Sequence, residues 1–308
     1  MEKLVIGTRG SKLALWQANY IKSLIEEKHN ISVELKIIKT TGDKILDTPL
    51  AKIGGKGLFV KEIEEELLNK NVDIAVHSMK DVPVELPNGL EVGVFPIREE
   101  PFDAFLSLKY NSLQELPEGA VVGTSSLRRK VQLIKKYPHL KIKDLRGNVD
   151  TRIRKLTEGQ FDAIILAKAG LKRLGLLEHV KQTIDDSLMI PAVCQGTLGI
   201  EYREDDKKVQ EIINFLNHEE TVYRTKAERA FLKKLEGGCQ VPLGCLAILD
   251  GNVLKVKGFL SDLKGEKFLY EEIEGDKSDA VKLGLQLAEK ILSKGGKKII
   301  EEIYAQGD

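Results

Sequence analysis

At 308 residues the chain exceeds the size at which a single hydrophobic core keeps growing, and 42% hydrophobic with 31% charged residues is the composition of an ordered protein of two or three domains. Its 48 lysines and arginines against 47 aspartates and glutamates leave a net charge of +1, which excludes a global pull on nucleic acid; any anion site has to be built locally. Three cysteines without CxxC spacing and five scattered histidines without an HxxxH or HExxH pair speak against disulfides and against a bound metal. The first residues lack the pattern of an export signal, and no apolar run reaches the roughly 18 residues of a membrane span, so a cytoplasmic protein is expected.

Apolar and alternating runs predict strands at 4–9, 33–40, 73–79 and 90–95, separated by helical patterns at 11–28 and 57–70. In the first helix Leu13, Trp16, Tyr20 and Leu24 fall three or four apart, behind Ser11 as its cap. After Pro96 and Pro101 a second series begins, with strands predicted at 103–108, 120–124, 141–145 and 162–167 and helices near 126–137 and 148–158. Both series read as α/β, and open α/β sheets bind ligands at the carboxyl ends of their strands, so the cleft between the halves is the expected site. From about residue 218 the order changes to a helix at 219–235, strands near 243–249, 253–261 and 267–274, and a helix at 279–294, a smaller α+β unit with a hairpin turn at Gly251-Asn252. No internal repeat is visible.

Several residues stand at chemically suggestive places. Arg128 and Arg129 open a helix directly after the strand end Gly123-Thr124-Ser125-Ser126, where the partial positive charge of the helix start disfavours cations. Either an anion joins them or both point to solvent. Arg146 ends another strand before Gly147-Asn148, with Arg152 one helical turn on; Arg9 precedes Gly10-Ser11, and Arg173 follows Ala169-Gly170. Planar guanidinium groups favour bidentate contact with carboxylates, so their recurrence at strand ends points to a ligand with many carboxylates. Gly54-Gly55-Lys56-Gly57 has neither the GxxxxGK[ST] nor the GxGxxG spacing, Val60 standing where a third glycine belongs; it reads as a mobile loop carrying Lys52 and Lys56. The strand at 73–79 delivers Ser78, Lys80 and Asp81 to a ligand end, where Asp81 is either a functional carboxylate or a turn residue. His77 reads as a core histidine. Cys239, flanked by Gly237-Gly238, has an approachable sulfur, whereas Cys194 and Cys245 sit among apolar neighbours and read as packed.

Taken together, Gly237-Gly238-Cys239-Gln240-Val241-Pro242, His77-Ser78-Met79-Lys80-Asp81-Val82-Pro83, Gly54-Gly55-Lys56-Gly57-Leu58-Phe59, Gly123-Thr124-Ser125-Ser126-Leu127-Arg128-Arg129 and Leu145-Arg146-Gly147-Asn148-Val149 resemble the signature segments of the porphobilinogen deaminases, in order from residue 4 to about 250. The resemblance implies two α/β domains of the type II periplasmic-binding-protein kind plus a smaller α+β C-terminal domain. The implied divisions are 1–96 with 197–214, 102–192, and 219–308. It implies a dipyrromethane cofactor held by a thioether to Cys239, and a catalytic Asp81. Cofactor contacts fall on Ser78, Lys80, Asp81, Thr124, Ser126, Arg128, Arg129, Arg146, Gly147 and Asn148. Substrate contacts fall on Arg9, Ser11, Phe59, Arg146, Arg152, Arg173 and Gln195. Four porphobilinogens would add in turn, each losing ammonia, before water releases hydroxymethylbilane for uroporphyrinogen III synthase. Each pyrrole brings an acetate and a propionate, the polyanion that the arginines ask for. No metal, nucleic-acid or membrane partner is implied, and the chain is expected to be a monomer. Cys194 stands where the family often has glycine. A non-catalytic two-lobed module for a small polyanion is the rival reading, but it gives no reason for a glycine-flanked cysteine on a third domain.

Overall fold

The computed structural model describes residues 3–44, 57–235 and 240–306. Cys239, Lys52, Lys56 and the glycines at 54 and 55 lie outside the described residues. Two compact units emerge, one from residues 1–48, 55–99 and 196–222, the other from 49–54, 100–195 and 223–308.

The first unit is built on a five-stranded sheet ordered β2-β1-β3-β10-β4. Its strands are β1 (Lys3–Thr8), β2 (Ser32–Ile37), β3 (Ile74–Ser78), β4 (Leu90–Val94) and β10 (Leu198–Arg203). Strands β1, β2 and β3 are parallel, and β10 runs antiparallel between β3 and β4. Helix Lys12–His29 covers one face. Ser11 caps it by accepting from Ala14 N, Asn30 ends it in the left-handed conformation, and Ile21 and Ile25 pack on Leu4, Ile6, Ile74 and Ile200. Helix Lys61–Leu68 covers the other face through Ile63 and Leu67, against Ala75 and Leu90. Each such fully buried aliphatic side chain contributes about 1.5–3 kcal/mol relative to exposure.

The second unit's main sheet, β7-β6-β8-β5-β9, repeats this plan. It comprises β5 (Asp103–Leu106), β6 (Val121–Gly123), β7 (Lys141–Lys143), β8 (Ala163–Ala167) and β9 (Gln182–Ile184). Strands β6, β7 and β8 are parallel, and β5 runs antiparallel between β8 and β9. The two sheets thus share an architecture that the sequence does not display as a repeat. Helices Leu127–Lys136 and Val149–Thr157 follow β6 and β7.

The remaining strands, β11 (Leu243–Asp250), β12 (Val253–Ser261) and β13 (Phe268–Asp276), form an antiparallel meander. Gly251-Asn252 makes the hairpin between β11 and β12, with Gly251 at φ 57° where a side chain would be strained. Helix Ala280–Ile291 packs on this sheet with Leu283 and Leu287, and Gly258 admits the Phe231 ring. Elements that periodicity did not predict are β9, β10 and the short helices Thr41–Lys44, Lys168–Arg173, Lys207–Ile213 and Lys297–Ala305.

Candidate active site

In each α/β unit the polar residues singled out above stand beyond the carboxyl ends of parallel strands. In the first unit, β1 leads to Arg9. Its Nε donates to Asp43 Oδ1 at 3.0 Å, an ion pair that Nη2 completes, and its guanidinium lies 4.3 Å from the Phe59 ring centroid. Burial opposes the charge on Asp43, but the hydrogen bonds from Arg9 and Thr40 outweigh it and hold the carboxyl below its usual range. Ser11 sits next to Arg9 as the helix cap.

Strand β3 ends in a 3₁₀ turn, Met79–Asp81, with Met79 buried and Lys80 and Asp81 exposed. Ser78 accepts from Gln17 Nε2 at 2.9 Å, so a side chain of the first helix fixes the strand end. Gly199 of β10 lies opposite His77, and a Cβ there would come 2.1 Å from Met79 Sδ. This close approach requires glycine and seats the turn that carries Asp81.

In the second unit, β6 leads to Thr124 and Ser126. The Thr124 hydroxyl accepts from Ser126 N, and Ser126 caps helix Leu127–Lys136 by accepting from Arg129 N. Arg128 and Arg129 are buried, and they meet a carboxylate supplied by the protein itself. Arg128 Nη1 and Nη2 donate to the two oxygens of Asp103 at 2.8 and 3.2 Å, and Arg129 Nε donates to Oδ1 at 3.0 Å. Carbonyls of Ile190 and Ile165 accept the next donors. Gln195, also buried, donates to the same Asp103 Oδ1 and to Pro101 O. Of the two expectations, exposure to solvent is corrected: both arginines are buried, and the anion that joins them here is Asp103, opening β5, which two guanidinium charges share. Burial alone would raise its carboxyl, but Arg128 and then Arg129 hold it far below the usual range.

Beyond β7 the loop at Arg146 and Gly147 is tied down by Ser125, whose hydroxyl donates to Leu145 O and accepts from Leu145 N, 3.0 Å each. Gly147 takes φ 108°, closed to other residues, and its carbonyl accepts from Arg152 Nε at 2.8 Å. Asn148 occupies the cap position of helix Val149–Thr157 without a side-chain capping bond. Arg173 ends the short helix after β8. Cys194 is fully buried at φ 59°, a conformation that favours glycine, and its N–H donates to Glu228 Oε2. Reading the sequence missed Asp43, Gln17 and Asp103; only the last left a trace, a charge opening an otherwise apolar run.

Among the described residues no helix is long and apolar enough to cross a membrane, and no cluster of three metal-ligating side chains occurs. Two α/β units that each bring basic and hydroxyl groups to the ends of parallel strands, one of them with an aspartate on an exposed turn, define the class: an α/β enzyme. The model of the "Porphobilinogen deaminase, dipyromethane cofactor binding domain" matches residues 4–211, and that of the "Porphobilinogen deaminase, C-terminal domain" matches 222–293. Curated relatives named porphobilinogen deaminase include those of Nitratidesulfovibrio vulgaris strain Hildenborough, 56% identical over 100% of this chain and 98% of that one, and Maridesulfovibrio salexigens, 54% identical over 99% of each. A nutrient binding protein from Burkholderia cenocepacia bound to methionine is a structural match with TM-score 0.43 and 14% identity, covering 77% of this chain and 98% of its own. The chain belongs to the porphobilinogen deaminase family, transferases of tetrapyrrole biosynthesis that carry a dipyrromethane cofactor. No observation favours a non-catalytic binding module.

Proposed function

We propose that Cys239 carries the dipyrromethane through a thioether and that Asp81 is the catalytic carboxylate. As a hydroxymethylbilane synthase the chain condenses four porphobilinogens head to tail, with loss of one ammonia each, and hydrolyses the product to hydroxymethylbilane in haem biosynthesis. The carrying observation is the placement of Asp81: exposed, on a turn packed against Gly199, at the carboxyl end of the central parallel strand β3.

The donor set suits a group with several carboxylates. Arg128 and Arg129 share one protein carboxylate, which leaves one guanidinium charge in excess. In this reading Thr124, Ser126, Arg146, Gly147, Asn148, Ser78 and Lys80 complete the cofactor's holders. When bound, the cofactor supplies the pyrrole terminus from which the product grows. Arg9, Ser11, Phe59, Arg146, Arg152, Arg173 and Gln195 take the acid side chains and the ring of the incoming substrate; Arg9 already engages a carboxylate and an aromatic face, the two features that a pyrrole acid offers. The role of Asp81 is electrostatic: a carboxylate by the reacting ring offsets the positive charge that builds as ammonia departs and that the pyrrole nitrogen shares.

The chain comprises three domains, 1–96 with 197–214, 102–192 and 219–308; in support of this, it forms three separate sheets, the first of which takes in β10. It is a cytoplasmic monomer that hands hydroxymethylbilane to uroporphyrinogen III synthase. An intact mass tests the core of the reading. The purified chain is expected to be heavier than its sequence by one dipyrromethane, and Cys239→Ser to lack the increment; an unmodified chain that still makes hydroxymethylbilane overturns it.

A further inference from the structure

Behind the turn that carries Asp81 lies a group of titratable side chains for which the chemistry above has no use. His77, the penultimate residue of β3, places Nε2 2.7 Å from Glu201 Oε2 on β10. Glu201 lies opposite Ala75, and Gly199 opposite His77, so strand alternation puts both side chains on the face covered by helix Lys61–Leu68. That helix adds Glu64. All three are buried, Glu201 at 1% exposure and the other two at 7%. Glu201 Oε1 has no hydrogen-bond partner among the described residues. Two carboxylates with one imidazolium would leave a net negative charge in the core, a costly arrangement unless a proton is retained.

Among the described residues no further cation is paired with the trio. Arg203, two residues beyond Glu201, is engaged by the carbonyls of Leu67 and Val72 and by Asp206 and Asp73. Strand β4 offers Val92 and Leu90 on this side, and β1 offers Val5 and Gly7. Tyr202 and Glu91 pair with each other on the opposite face, and Glu65 of the helix adds only negative charge. In this setting burial first, then the charge of Glu201, pushes the Glu64 carboxyl up to about 7, with His77 opposing.

We propose that Glu64, His77 and Glu201 share one dissociable proton and that, while they hold it, they fix the strand end presenting Ser78 and Asp81; they are positioning residues, and loss of the proton slows turnover. Deprotonation puts an uncompensated charge beneath β3, one residue from Ser78 and opposite Gly199, the seat of Met79. The inference rests on the assignment of Asp81 to the chemistry.

The test uses cofactor-loaded enzyme, with kcat and KM measured against pH and the His77 imidazole followed by NMR, its resonance assigned by its absence in His77→Gln. Parent kcat is expected to fall about tenfold between about pH 6 and about pH 9; in Glu64→Gln, permanently neutral and close in shape, the fall flattens to within about twofold. Glu201→Gln removes the repelling charge and is expected to move the fall to lower pH, an effect that a merely structural role does not produce. The His77 resonance should report an inflection that coincides with the kcat limb and disappears in Glu64→Gln. An unchanged alkaline limb in Glu64→Gln, or a His77 titration indifferent to Glu64, overturns the proposal. If instead Asp81 proves dispensable while the His77 inflection still depends on Glu64, the catalytic assignment fails and the shared proton stands.

Discussion

Arg128 and Asp103 stand 25 residues apart in sequence and meet in the core, the guanidinium donating to both carboxylate oxygens at 2.8 and 3.2 Å. The pairing changes what the two arginines are expected to do. A surface arginine can be removed at little cost in stability, but Arg128 is buried and sits between Asp103 and the carbonyl of Ile190. Arg128→Leu is therefore expected to destabilise by about 1–3 kcal/mol in urea unfolding, besides any effect on the cofactor. A variant as stable as the parent contradicts this account.

Asp103→Asn removes the one carboxylate that Arg128 and Arg129 share among the described residues, and leaving buried charge uncompensated costs about 3–5 kcal/mol. Since the folded protein depresses this carboxyl, its contribution is present above the ordinary aspartate range and is lost on acidification. The stability gap between parent and variant should hold from neutral pH down to about pH 4 and narrow only below it. A gap that closes already near neutrality rules the pairing out as its source.

Asp81→Asn keeps the shape of the turn and loses the charge. Opposite unit charges about 4 Å apart at an effective dielectric of about 20 attract by roughly 4 kcal/mol. Turnover is expected to fall at least about a hundredfold, on the order of 3 kcal/mol, with folding intact and Asp81→Glu partly active. Cofactor content has to be verified by mass first. Turnover within about tenfold of the parent refutes the electrostatic role.

Gly199→Ala sets a methyl group 2.1 Å from Met79 Sδ and 2.7 Å from Val92 Cγ1. Met79 opens the turn that ends in Asp81, so the displaced side chain carries strain directly to the reacting residue. A loss of about 1–3 kcal/mol in stability is expected, with kcat lowered more than KM is raised. Unchanged kcat shows that the turn is not seated by this contact.

Glu64→Gln should stabilise the fold in a pH-dependent way. The carboxyl is held at about 7, above its unfolded value of 4.5. Parent stability is thus full below the lower value and declines as pH rises through the upper. The variant is expected to match the parent near pH 4 and exceed it by on the order of 2–3 kcal/mol near pH 8, read from urea midpoints at both. Equal gains at the two pH values separate the effect from ionisation.

Much of this was legible in the sequence where periodicity and chemistry agree. The apolar runs of β1 and β3 and the capped helix after Ser11 are legible for that reason. Strand β10 was not: all six of its residues are buried, yet Glu201 and Arg203 are among them, so a hydropathy reading takes the segment for surface. The arginines at 128 and 129 betrayed themselves by sitting at a helix start that repels them, but nothing local announces that Asp103 answers them. Pairing across 25 residues leaves no periodic trace. His77 reads as a satisfied core residue until β10 brings Glu201 to it.

The return of β10 also sets a timetable for synthesis. Strands β3 and β4 are made long before the strand that fills the gap between them, whereas β5 to β9 are complete by residue 184. A chain emerging amino end first therefore finishes its second α/β sheet while its first, though begun earlier, still has two open strand edges. A nascent chain stalled before residue 198 should protect the amides of Phe105 and Val122 from exchange while leaving those of Val76 and Val92 open.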